Sequence, residues 1–378
     1  MKKKIAIVRG KFLNAYEMQI FEPLSKKYDI TAFGSKTSYH KNFTFPTIQL
    51  PSPMDISDFP YKMSLLNRVF IDAHHLYGLE ERLKEFDIVH SAETYFNYTQ
   101  QAINAREKGY VKKVVATVLE NIPFNNEGIW GRKYFKKRAR EKLDHMIALT
   151  KRTRDALILE GADPRKITVI SHGIDTKRFT PSRGWLQKEK DKKTFTILFS
   201  GRLEAYKGVY EIVYAAKLLL LDPDLEKYIL RFIFVGEGSE KVQLLELEKK
   251  LGIKKYISHK SVAYSQMPQE YQKADIFCAP SKPTTTYQEQ YCTALLEAQA
   301  VGLPIVTTFS GGIPENIGNA GLVVGPGDFY SLKEALKQFI LSPKLRIEYA
   351  RKARNRAEAV HDIRIIARQL DSLYKTLL

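Results

Sequence analysis

The sequence predicts an α/β protein with two doubly wound, Rossmann-like parallel-sheet domains, and three observations lead to that prediction. Short apolar runs recur between helical patterns, and most are continuous rather than alternating, as in strands buried on both faces of a sheet. The runs form two successive series, which indicates two sets of βα units. The length of 378 residues suits two domains with ample cores.

The predicted strands follow in chain order, six in the first series and five in the second. They lie at 5–8, 30–33, 88–90, 114–118, 146–149 and 168–170, then at 196–199, 230–235, 276–279, 304–307 and 322–324. Segment 180–194 contains Pro, Gly and a charge run with little apolar periodicity, which is typical of a linker. We therefore expect domains at residues 1–182 and 190–357.

The end of the chain is predicted to be helical from Ser342 onward. Four apolar residues there recur at spacings of three and four, namely Ile363, Ile366, Leu370 and Leu373. No predicted strand follows them, so this tail has no sheet of its own to cover. We expect a helix at about residues 358–378 to pack back on the first domain.

Composition excludes several classes of protein. With 44% hydrophobic and 27% charged residues the chain should fold rather than stay disordered. The longest apolar runs are too short to span a bilayer, and the apolar stretch of the opening MKKKIAIV stops at Arg9, before a signal-peptide core could form. Two cysteines cannot build a disulfide framework, and no His/Cys cluster has zinc spacing. These features favour a soluble, cytoplasmic protein without a metal.

The formal charge of +18 is unevenly distributed. Residues 101–190 contain 21 basic and 10 acidic groups, a net +11, against +2 for residues 1–100 and +5 for residues 191–378. The densest stretch is 132–142, RKYFKKRAREK. It is either a solvated helix face or a patch for anionic lipid headgroups or nucleic acid.

Open α/β sheets bind ligands at the carboxyl ends of their strands, so we expect ligand-binding residues in the loops after the apolar runs. The first loop contains Gly10 but lacks G-x-G-x-x-G, which argues against a dinucleotide-binding dehydrogenase. After the run 196–199, a turn containing Gly201 places Arg202 and Lys207 five residues apart. Such a pair can neutralise a diphosphate, although ordinary surface cations would give the same pattern.

Two glutamates follow the run 276–279. Glu297 has apolar neighbours on its helix, which indicates a buried acid in need of hydroxyl or amide partners, whereas Glu289 precedes that helix. Backbone amides near Cys292 and Thr293, where the helix starts, would form an anion site. The alternative for this pair of acids is a capped amphipathic helix.

These blocks together resemble the signature of the retaining GT-B glycosyltransferases of family 4. The eight-residue step from Glu289 to Glu297 is followed by a match to E-A-x-A-x-G-x-P-I-V. The remaining matches occur in the family's order: 171–175 (SHGID) with Phe179, 201–208 (GRLEAYKG), 236–238 (GEG), 274–277 (ADIF), 280–281 (PS), 311–315 (GGIPE) and 321–324 (GLVV). The match is strong over about residues 144–330 and weak elsewhere.

The resemblance implies a GT-B fold whose C-terminal domain holds a nucleotide-sugar donor and whose N-terminal domain holds the acceptor. Arg202 and Lys207 would stabilise the leaving diphosphate, Glu297 would accept hydrogen bonds from ribose, and Glu289 would contact the donor sugar. The other donor-binding positions would be Gly10, Gly201, Gly236, Val262, Tyr291, Cys292 and Thr293. No metal and no cofactor would be required, because cations and helix amides neutralise the diphosphate.

The chain departs from the family pattern near the reacting sugar. Leu119 or Glu120 stands at the strand end where many members have a histidine. The resemblance therefore makes Glu120, with Glu93 and Asn121, the residues expected to orient sugar and acceptor. His172 and His90 are alternatives, although each is more often a structural histidine.

The leading hypothesis is transfer of a hexose, with retention, from a UDP- or GDP-sugar to a hydroxyl of a glycan, glycolipid or lipid-linked acceptor. The segment Arg132–Lys142 would contact an anionic membrane surface at the inner face of the cell membrane. The alternatives are an epimerase-like GT-B protein and a basic protein that binds nucleic acid or an anionic surface. The leading hypothesis includes no nucleic-acid partner and leaves the oligomeric state open.

Overall fold

The structure is a computed structural model that describes residues 2–184 and 192–378. The chain divides into two units of parallel sheet and helices. Unit 1 comprises Met1–Gly173 and Ile363–Leu378, and unit 2 comprises Ile174–Asp362.

Unit 1 is built on a seven-stranded parallel sheet with strand order 3-2-1-4-5-6-7. Its strands are β1 (Lys4–Gly10), β2 (Asp29–Ser35), β3 (Thr47–Leu50), β4 (Ile88–Ala92), β5 (Lys113–Val118), β6 (His145–Ala148) and β7 (Ile167–Val169). Its helices before residue 174 are α1 (Ala15–Met18), α2 (Lys62–Val69), α3 (Leu79–Arg82), α4 (Asn97–Glu107), α5 (Arg132–Lys142) and α6 (Lys151–Leu159). The strand order reverses between β1 and β4, so a ligand crevice is expected at their carboxyl ends.

Unit 2 is built on a six-stranded parallel sheet with strand order 10-9-8-11-12-13. Its strands are β8 (Thr194–Ser200), β9 (Ile229–Val235), β10 (Ile257–Lys260), β11 (Ile276–Ala279), β12 (Ile305–Thr308) and β13 (Leu322–Val324). Its helices are α7 (Val209–Leu220), α8 (Lys241–Lys250), α9 (Met267–Gln272), α10 (Thr293–Val301), α11 (Ile313–Ile317), α12 (Phe329–Leu341) and α13 (Pro343–Arg356). Here the order reverses between β8 and β11.

The predicted doubly wound architecture is confirmed, and each of the eleven apolar runs matches a strand of these two sheets, three of the runs extending one residue beyond it. Two strands, β3 and β10, were missed. Each is four residues long and lies at the edge of its sheet, where one side has no neighbouring strand. Their sequences, TIQL and ISHK, lack the continuous apolar run of a strand covered on both faces.

The boundary between the units differs from the expected one. Residues 174–182, expected in the first domain, belong to unit 2. The backbone N–H of Ile174 donates to the carbonyl of His361 (2.7 Å), and the Thr176 hydroxyl bonds the Asp362 carboxylate. Of the expected linker, residues 185–191 lie outside the described part of the chain.

The tail is not one continuous helix. A π-helical turn, Ala357–His361, follows α13, and Asp362 then adopts an extended conformation before α14 (Ile363–Leu377) begins. Helix α14 belongs to unit 1, where its apolar stripe packs in the core with residues of β1 and β2. Its polar side also contacts unit 1, because Asp371 accepts hydrogen bonds from Tyr28 (2.8 Å) and Lys27 (2.7 Å).

Candidate functional site

The loops after β8 and β9 are built around two glycines. Gly201 and Gly236 have φ of +153° and +144°, in the region that favours glycine. A Cβ on Gly236 would lie 2.0 Å from the carbonyl oxygen of Gly201, so the two backbones approach too closely for any side chain. The backbone N–H of Gly236 also donates to the carbonyl of Lys260 (2.9 Å), which brings it near the loop of half-buried Val262.

A short 3-10 helix, Ala205–Lys207, leads from this turn to α7. It ends at Gly208, whose φ is +74° and where a Cβ would lie 2.0 Å from the carbonyl oxygen of Pro280. This close packing sets Lys207 against the loop that follows β11.

The Lys207 ammonium lies 2.5 Å from Oε1 of Glu289, and the Ser281 hydroxyl donates to the same oxygen at 2.7 Å. Only 3% of Glu289 is exposed. Burial favours a raised pKa for this carboxyl, but Lys207 and the hydrogen bonds outweigh burial and lower the pKa. Burial in turn disfavours the ammonium, but Glu289 raises the pKa of Lys207. The pair is therefore ionised on both sides at neutral pH.

Aromatic rings link this ion pair to Arg202. The ring centroids of Tyr206 and Tyr287 are 4.2 Å apart, and Lys207 Nζ lies 5.4 Å from the centroid of Tyr287. The exposed Arg202 guanidinium lies 5.4 Å from the Tyr206 centroid. Within the described residues Arg202 forms no ion pair, so this surface has a cation that is open to an anionic ligand.

The turn before α10 is strained and fixed by one amide. Cys292 has φ of +55°, which is rare outside glycine, and the Asn316 side chain donates to the carbonyls of both Tyr291 and Cys292. Thr293, the first residue of α10, directly follows this turn and comes four residues after Glu289. Burial raises the pKa of the Cys292 thiol, which therefore stays neutral. The Tyr291 ring points inward, with its hydroxyl 3.3 Å from Nδ1 of His361.

Glu297 lies further along α10 and is buried, as its apolar neighbours predict. Its Oε2 accepts a hydrogen bond from the Tyr271 hydroxyl (2.6 Å). Burial raises the pKa of this carboxyl to about 7, against the opposing effect of hydrogen bonds from Tyr271 and Tyr264. At neutral pH the Glu297 carboxyl is therefore less fully ionised than that of Glu289.

In unit 1, Glu93 directly follows β4 and has φ of +57°. Its Oε1 accepts hydrogen bonds from the backbone N–H groups of Leu119 (2.9 Å) and Glu120 (3.1 Å). Its Oε2 is buried without a hydrogen-bond partner among the described residues. Burial, together with the nearby Glu120 carboxylate, raises the pKa of Glu93 to about 8.

The other residues expected in unit 1 have different surroundings. Glu120 organises its own loop, since Oε1 accepts from the backbone N–H of Ile122 and Oε2 from the Asn125 side chain, at 2.9 and 2.8 Å. Asn121 is buried next to it. Gly10 has φ of +53° and packs on Tyr98, whose ring would lie 3.2 Å from a Cβ.

The two candidate histidines, His90 and His172, have different surroundings in unit 1. Both ring nitrogens of His90 are hydrogen-bonded inside the core, Nδ1 to the Tyr374 hydroxyl (2.5 Å) and Nε2 to that of Thr117 (2.6 Å). His90 is therefore a structural residue. His172 is buried, and burial lowers its pKa, so its ring is neutral at pH 7.

Sequence reasoning missed a group of buried polar residues in unit 1. His74 Nδ1 lies 2.9 Å from Oδ1 of Asp72, and the Arg132 guanidinium lies 3.3 Å from the same oxygen. The His74 ring stacks on Phe12, with centroids 5.0 Å apart. His74 Nε2 and the Tyr98 hydroxyl are buried without a hydrogen-bond partner within residues 2–184 and 192–378. The sequence D-A-H-H at 72–75 could have indicated a polar cluster, but nothing in the sequence predicts that it contacts Arg132.

The basic segment Arg132–Lys142 forms α5, and its four buried or half-buried cations are engaged inside unit 1. Their nearest ion-pair contacts are Arg132 with Asp72 (3.3 Å), Lys136 with Glu160 (2.5 Å), Arg138 with Glu107 (2.7 Å) and Arg140 with Glu160 (3.0 Å). The expectation that the whole segment presents its charge to a surface is therefore wrong for these four. They anchor the helix. Lys133, Lys137 and Lys142 are exposed, and two of them also pair with acids, Lys137 with Glu141 (3.8 Å) and Lys142 with Glu107 (3.3 Å).

Replacing Glu93 with Gln should change how stability depends on pH. Between about pH 4.5 and 8 the folded chain keeps a proton on Glu93 that the unfolded chain releases, so stability falls as pH rises through this range. Glu93→Gln should flatten that fall by up to roughly 1 kcal/mol per pH unit in urea denaturation. The exposed Glu334→Gln serves as control, and an equal slope in wild type and Glu93→Gln would contradict the prediction.

Among residues 2–184 and 192–378, no helix is both long and apolar enough to cross a membrane. In the same residues, no group of three or more His, Cys, Asp or Glu side chains has a geometry suited to a metal ion.

The two Rossmann-like parallel-sheet units define the class of this protein as GT-B. The fold is that of Anabaena Alr3699/HepE, whose crystal structure in complex with UDP matches with a TM-score of 0.76 at 16% identity. That match covers 99% of this chain and 100% of the other.

Family models for glycosyl transferases group 1 and Glycosyltransferase Family 4 match residues 186–356 and 44–178. The chain belongs to the group 1 family of GT-B glycosyltransferases, as its motifs indicated.

Two curated relatives are similar over part of their length. The D-inositol 3-phosphate glycosyltransferase of Corynebacterium aurimucosum is 29% identical over 246 residues, which are 61% of this chain and 56% of that protein. The capsular polysaccharide biosynthesis glycosyltransferase CapM of Staphylococcus aureus is 26% identical over 67% of this chain and 68% of its own. The chain thus spans between about half and two thirds of the length of these relatives.

Proposed function

We propose that this protein transfers a hexose from a nucleotide diphosphate sugar to an acceptor hydroxyl, with retention at the anomeric carbon. The observation that supports this most is the ionised pair of Lys207 and Glu289 beside the open guanidinium of Arg202. It combines cations for a diphosphate with a carboxylate for sugar hydroxyls at the carboxyl edge of one sheet.

In this proposal unit 2 binds the donor. Arg202 and Lys207 neutralise the diphosphate as it leaves, and the backbone N–H groups of Cys292 and Thr293, at the start of α10, add positive potential. Glu289, positioned by Lys207, accepts hydrogen bonds from the hexose.

The nucleoside would bind at the neighbouring loops of unit 2. Glu297 accepts hydrogen bonds from the ribose hydroxyls, while Gly201, Gly236 and Val262 line the base and phosphates. Tyr291 supports the turn before α10 from inside. Because Anabaena Alr3699/HepE is solved with UDP and with UDP-glucose, a UDP-sugar is the donor we put first and a GDP-sugar the second.

The acceptor would bind at the carboxyl edge of the sheet in unit 1, whereas Gly10 remains a donor-binding position. Glu93, Glu120, Asn121 and His172 orient the acceptor hydroxyl and the sugar there. The bond between the anomeric carbon and the phosphate oxygen breaks while the acceptor oxygen bonds to the same face of that carbon. The departing phosphate takes the acceptor proton, so the step needs neither a strong protein base nor a metal. We propose a glycan, glycolipid or lipid-linked molecule as acceptor and a cytoplasmic site of action.

A panel of nucleotide sugars tests the proposal. We expect UDP-sugars to raise the melting temperature by mass action, with GDP-sugars as the second choice. Release of free nucleoside diphosphate only when an acceptor is present would distinguish transfer from epimerisation. Absence of stabilisation by every UDP- and GDP-sugar, in a preparation that unfolds cooperatively, would contradict the proposed donor.

A further inference from the structure

The loop that contains Glu289 ends in a strained turn at Tyr291 and Cys292. Cys292 has φ of +55° and ψ of +76°, a left-handed conformation that a residue with a Cβ rarely adopts. Such a conformation persists only where the surrounding contacts enforce it. The contacts that enforce it here therefore decide where the backbone N–H groups of Cys292 and Thr293 point.

The Asn316 side chain supplies those contacts. Its amide nitrogen donates to the carbonyl oxygens of both Tyr291 and Cys292, the second at 3.1 Å. Its Oδ1 accepts a hydrogen bond from the side chain of Gln299 on α10 at 2.8 Å. Asn316 and Gln299 are both fully buried. One buried amide thus uses its donors and its acceptor to fix the turn against the helix that follows it.

Asn316 is itself held by the last segment of unit 2. Its backbone carbonyl accepts hydrogen bonds from Nε of Arg356 (2.7 Å) and from Nε2 of His361 (3.0 Å). Since Nε2 of His361 carries the proton in this contact, Nδ1 accepts from the Tyr291 hydroxyl (3.3 Å). Burial lowers the pKa of His361 to about 4, which agrees with a neutral ring. The π-helical turn Ala357–His361 thus secures both Asn316 and the turn that Asn316 holds.

The helix that contains Asn316, α11, also contacts the earlier part of the loop. The backbone N–H of Gly312, which precedes α11, donates to the carbonyl of Glu289 at 2.7 Å. The backbone of the loop is therefore fixed from one element at Glu289 and again at residues 291–292. This arrangement sets the position of the Glu289 carboxylate relative to the N–H groups at the start of α10.

We propose that Asn316 is a positioning residue of the donor site, which holds Cys292 in its left-handed conformation so that the N–H groups of Cys292 and Thr293 face the phosphate that bears the sugar. The inference rests on the proposed function, which assigns Glu289, three residues before Cys292, to the donor sugar. Asn316 does not touch the donor and acts through the backbone of the turn. Amides that are fixed before the ligand arrives need no reorganisation to stabilise its charge, so releasing the turn should weaken binding of that phosphate.

The affinities for UDP and UMP separate this role from a purely structural one. A general loss of stability affects binding of both nucleotides alike, whereas displaced amides affect only the ligand that has the second phosphate. Hydrogen bonds to a charged group are worth roughly 10- to 100-fold in affinity, so wild type should prefer UDP by about that factor in calorimetric titration. Asn316→Ala should reduce the preference to about threefold or less. Asn316→Asp keeps the side-chain volume and the oxygen that accepts from Gln299 but lacks the NH₂ group, so it should lose the preference too.

A change at Cys292 tests the physical reason. Glycine adopts φ of +55° without a steric penalty, so adding Cys292→Gly to Asn316→Ala should bring the preference for UDP back to within about threefold of wild type. Arg346→Met is the matched control, because Arg346 is also a buried side chain of unit 2 that donates to two backbone carbonyls, those of Phe339 and Ile340. It should lower the melting temperature and leave the preference for UDP unchanged.

The outcomes distinguish this inference from the proposed function. If wild type prefers UDP to UMP and the folded Asn316 variants keep that preference, the inference is overturned while the proposed function stands. An equal loss in Arg346→Met, or no recovery on adding Cys292→Gly, would also overturn it. GDP and GMP replace UDP and UMP if the thermal panel selects a GDP-sugar. If wild type binds neither UDP nor GDP, the proposed function fails and the inference fails with it.

Discussion

The double variant Arg202→Ala, Lys207→Ala is expected to lose nearly all transfer activity. Removing a single preorganised donor from a developing negative charge costs on the order of 10² to 10³ in kcat. Both cations of this site would be gone, so kcat should fall by at least roughly that factor. The measurement is release of nucleoside diphosphate under saturating acceptor, with the best donor from the thermal panel.

Loss of Lys207 also leaves Glu289 buried and unpaired, which can cost about 3 to 5 kcal/mol of stability. A second variant separates folding from activity. Lys207→Met with Glu289→Gln removes both charges together, so it should unfold close to the wild-type temperature and still be inactive. Lys337→Ala is the matched control, because the Lys337 side chain is 17% exposed like that of Lys207 and lies 2.8 Å from Asp222, whose side chain is 7% exposed.

Wild-type turnover in a well-folded Lys207→Met, Glu289→Gln variant would contradict the role given to this pair. Wild-type turnover in a folded Arg202→Ala, Lys207→Ala variant would contradict the diphosphate assignment. Loss of activity in Lys337→Ala, with its fold intact, would show that the assay responds to ion pairs in general.

Glu297→Gln is expected to weaken donor binding by about 10- to 100-fold. A carboxylate that accepts hydrogen bonds from ribose contributes roughly 1.5 to 3 kcal/mol, and about 1.4 kcal/mol is a factor of ten. Because burial raises the pKa of Glu297 to about 7, the ionised form that binds ribose grows as pH rises. Wild-type affinity for the donor should therefore increase between about pH 6 and 8, and the variant should lack this dependence.

Calorimetric titration with the nucleoside diphosphate at pH 6, 7 and 8 checks both parts of this prediction. Glu270→Gln is the control, since Glu270 is another buried acid of unit 2 but pairs with Lys260 and Lys273 at 2.7 Å. If the affinity of wild type for the nucleoside diphosphate is independent of pH, or if it is unchanged in Glu297→Gln, the assignment of Glu297 to the ribose is contradicted.

Part of the geometry of the candidate site could be predicted because its residues are close in sequence. Arg202 and Lys207 share one turn, and the burial of Glu297 follows from its apolar neighbours on one helix. The ion-pair partner of Lys207 could not be predicted from the sequence. Glu289 is 82 positions away, and the contact depends on how the loops after β8 and β11 pack. The prediction for segment Arg132–Lys142 was wrong in part for the same reason. The acids that pair with Arg138 and Arg140 are Glu107 and Glu160, which lie on other elements.

The sequence by itself determined the two parallel sheets, because continuous apolar runs have no stable place except inside a sheet covered on both faces. It also determined the family, through motifs in a constant order. Only the tertiary structure decided which charges are engaged and which are open. The ion pair of Lys136 with Glu160 forms because two distant segments of the chain meet in the fold. The same holds for the surroundings of Glu93, whose Oε2 has no hydrogen-bond partner among the described residues. Spacing along the sequence cannot predict distances between such segments.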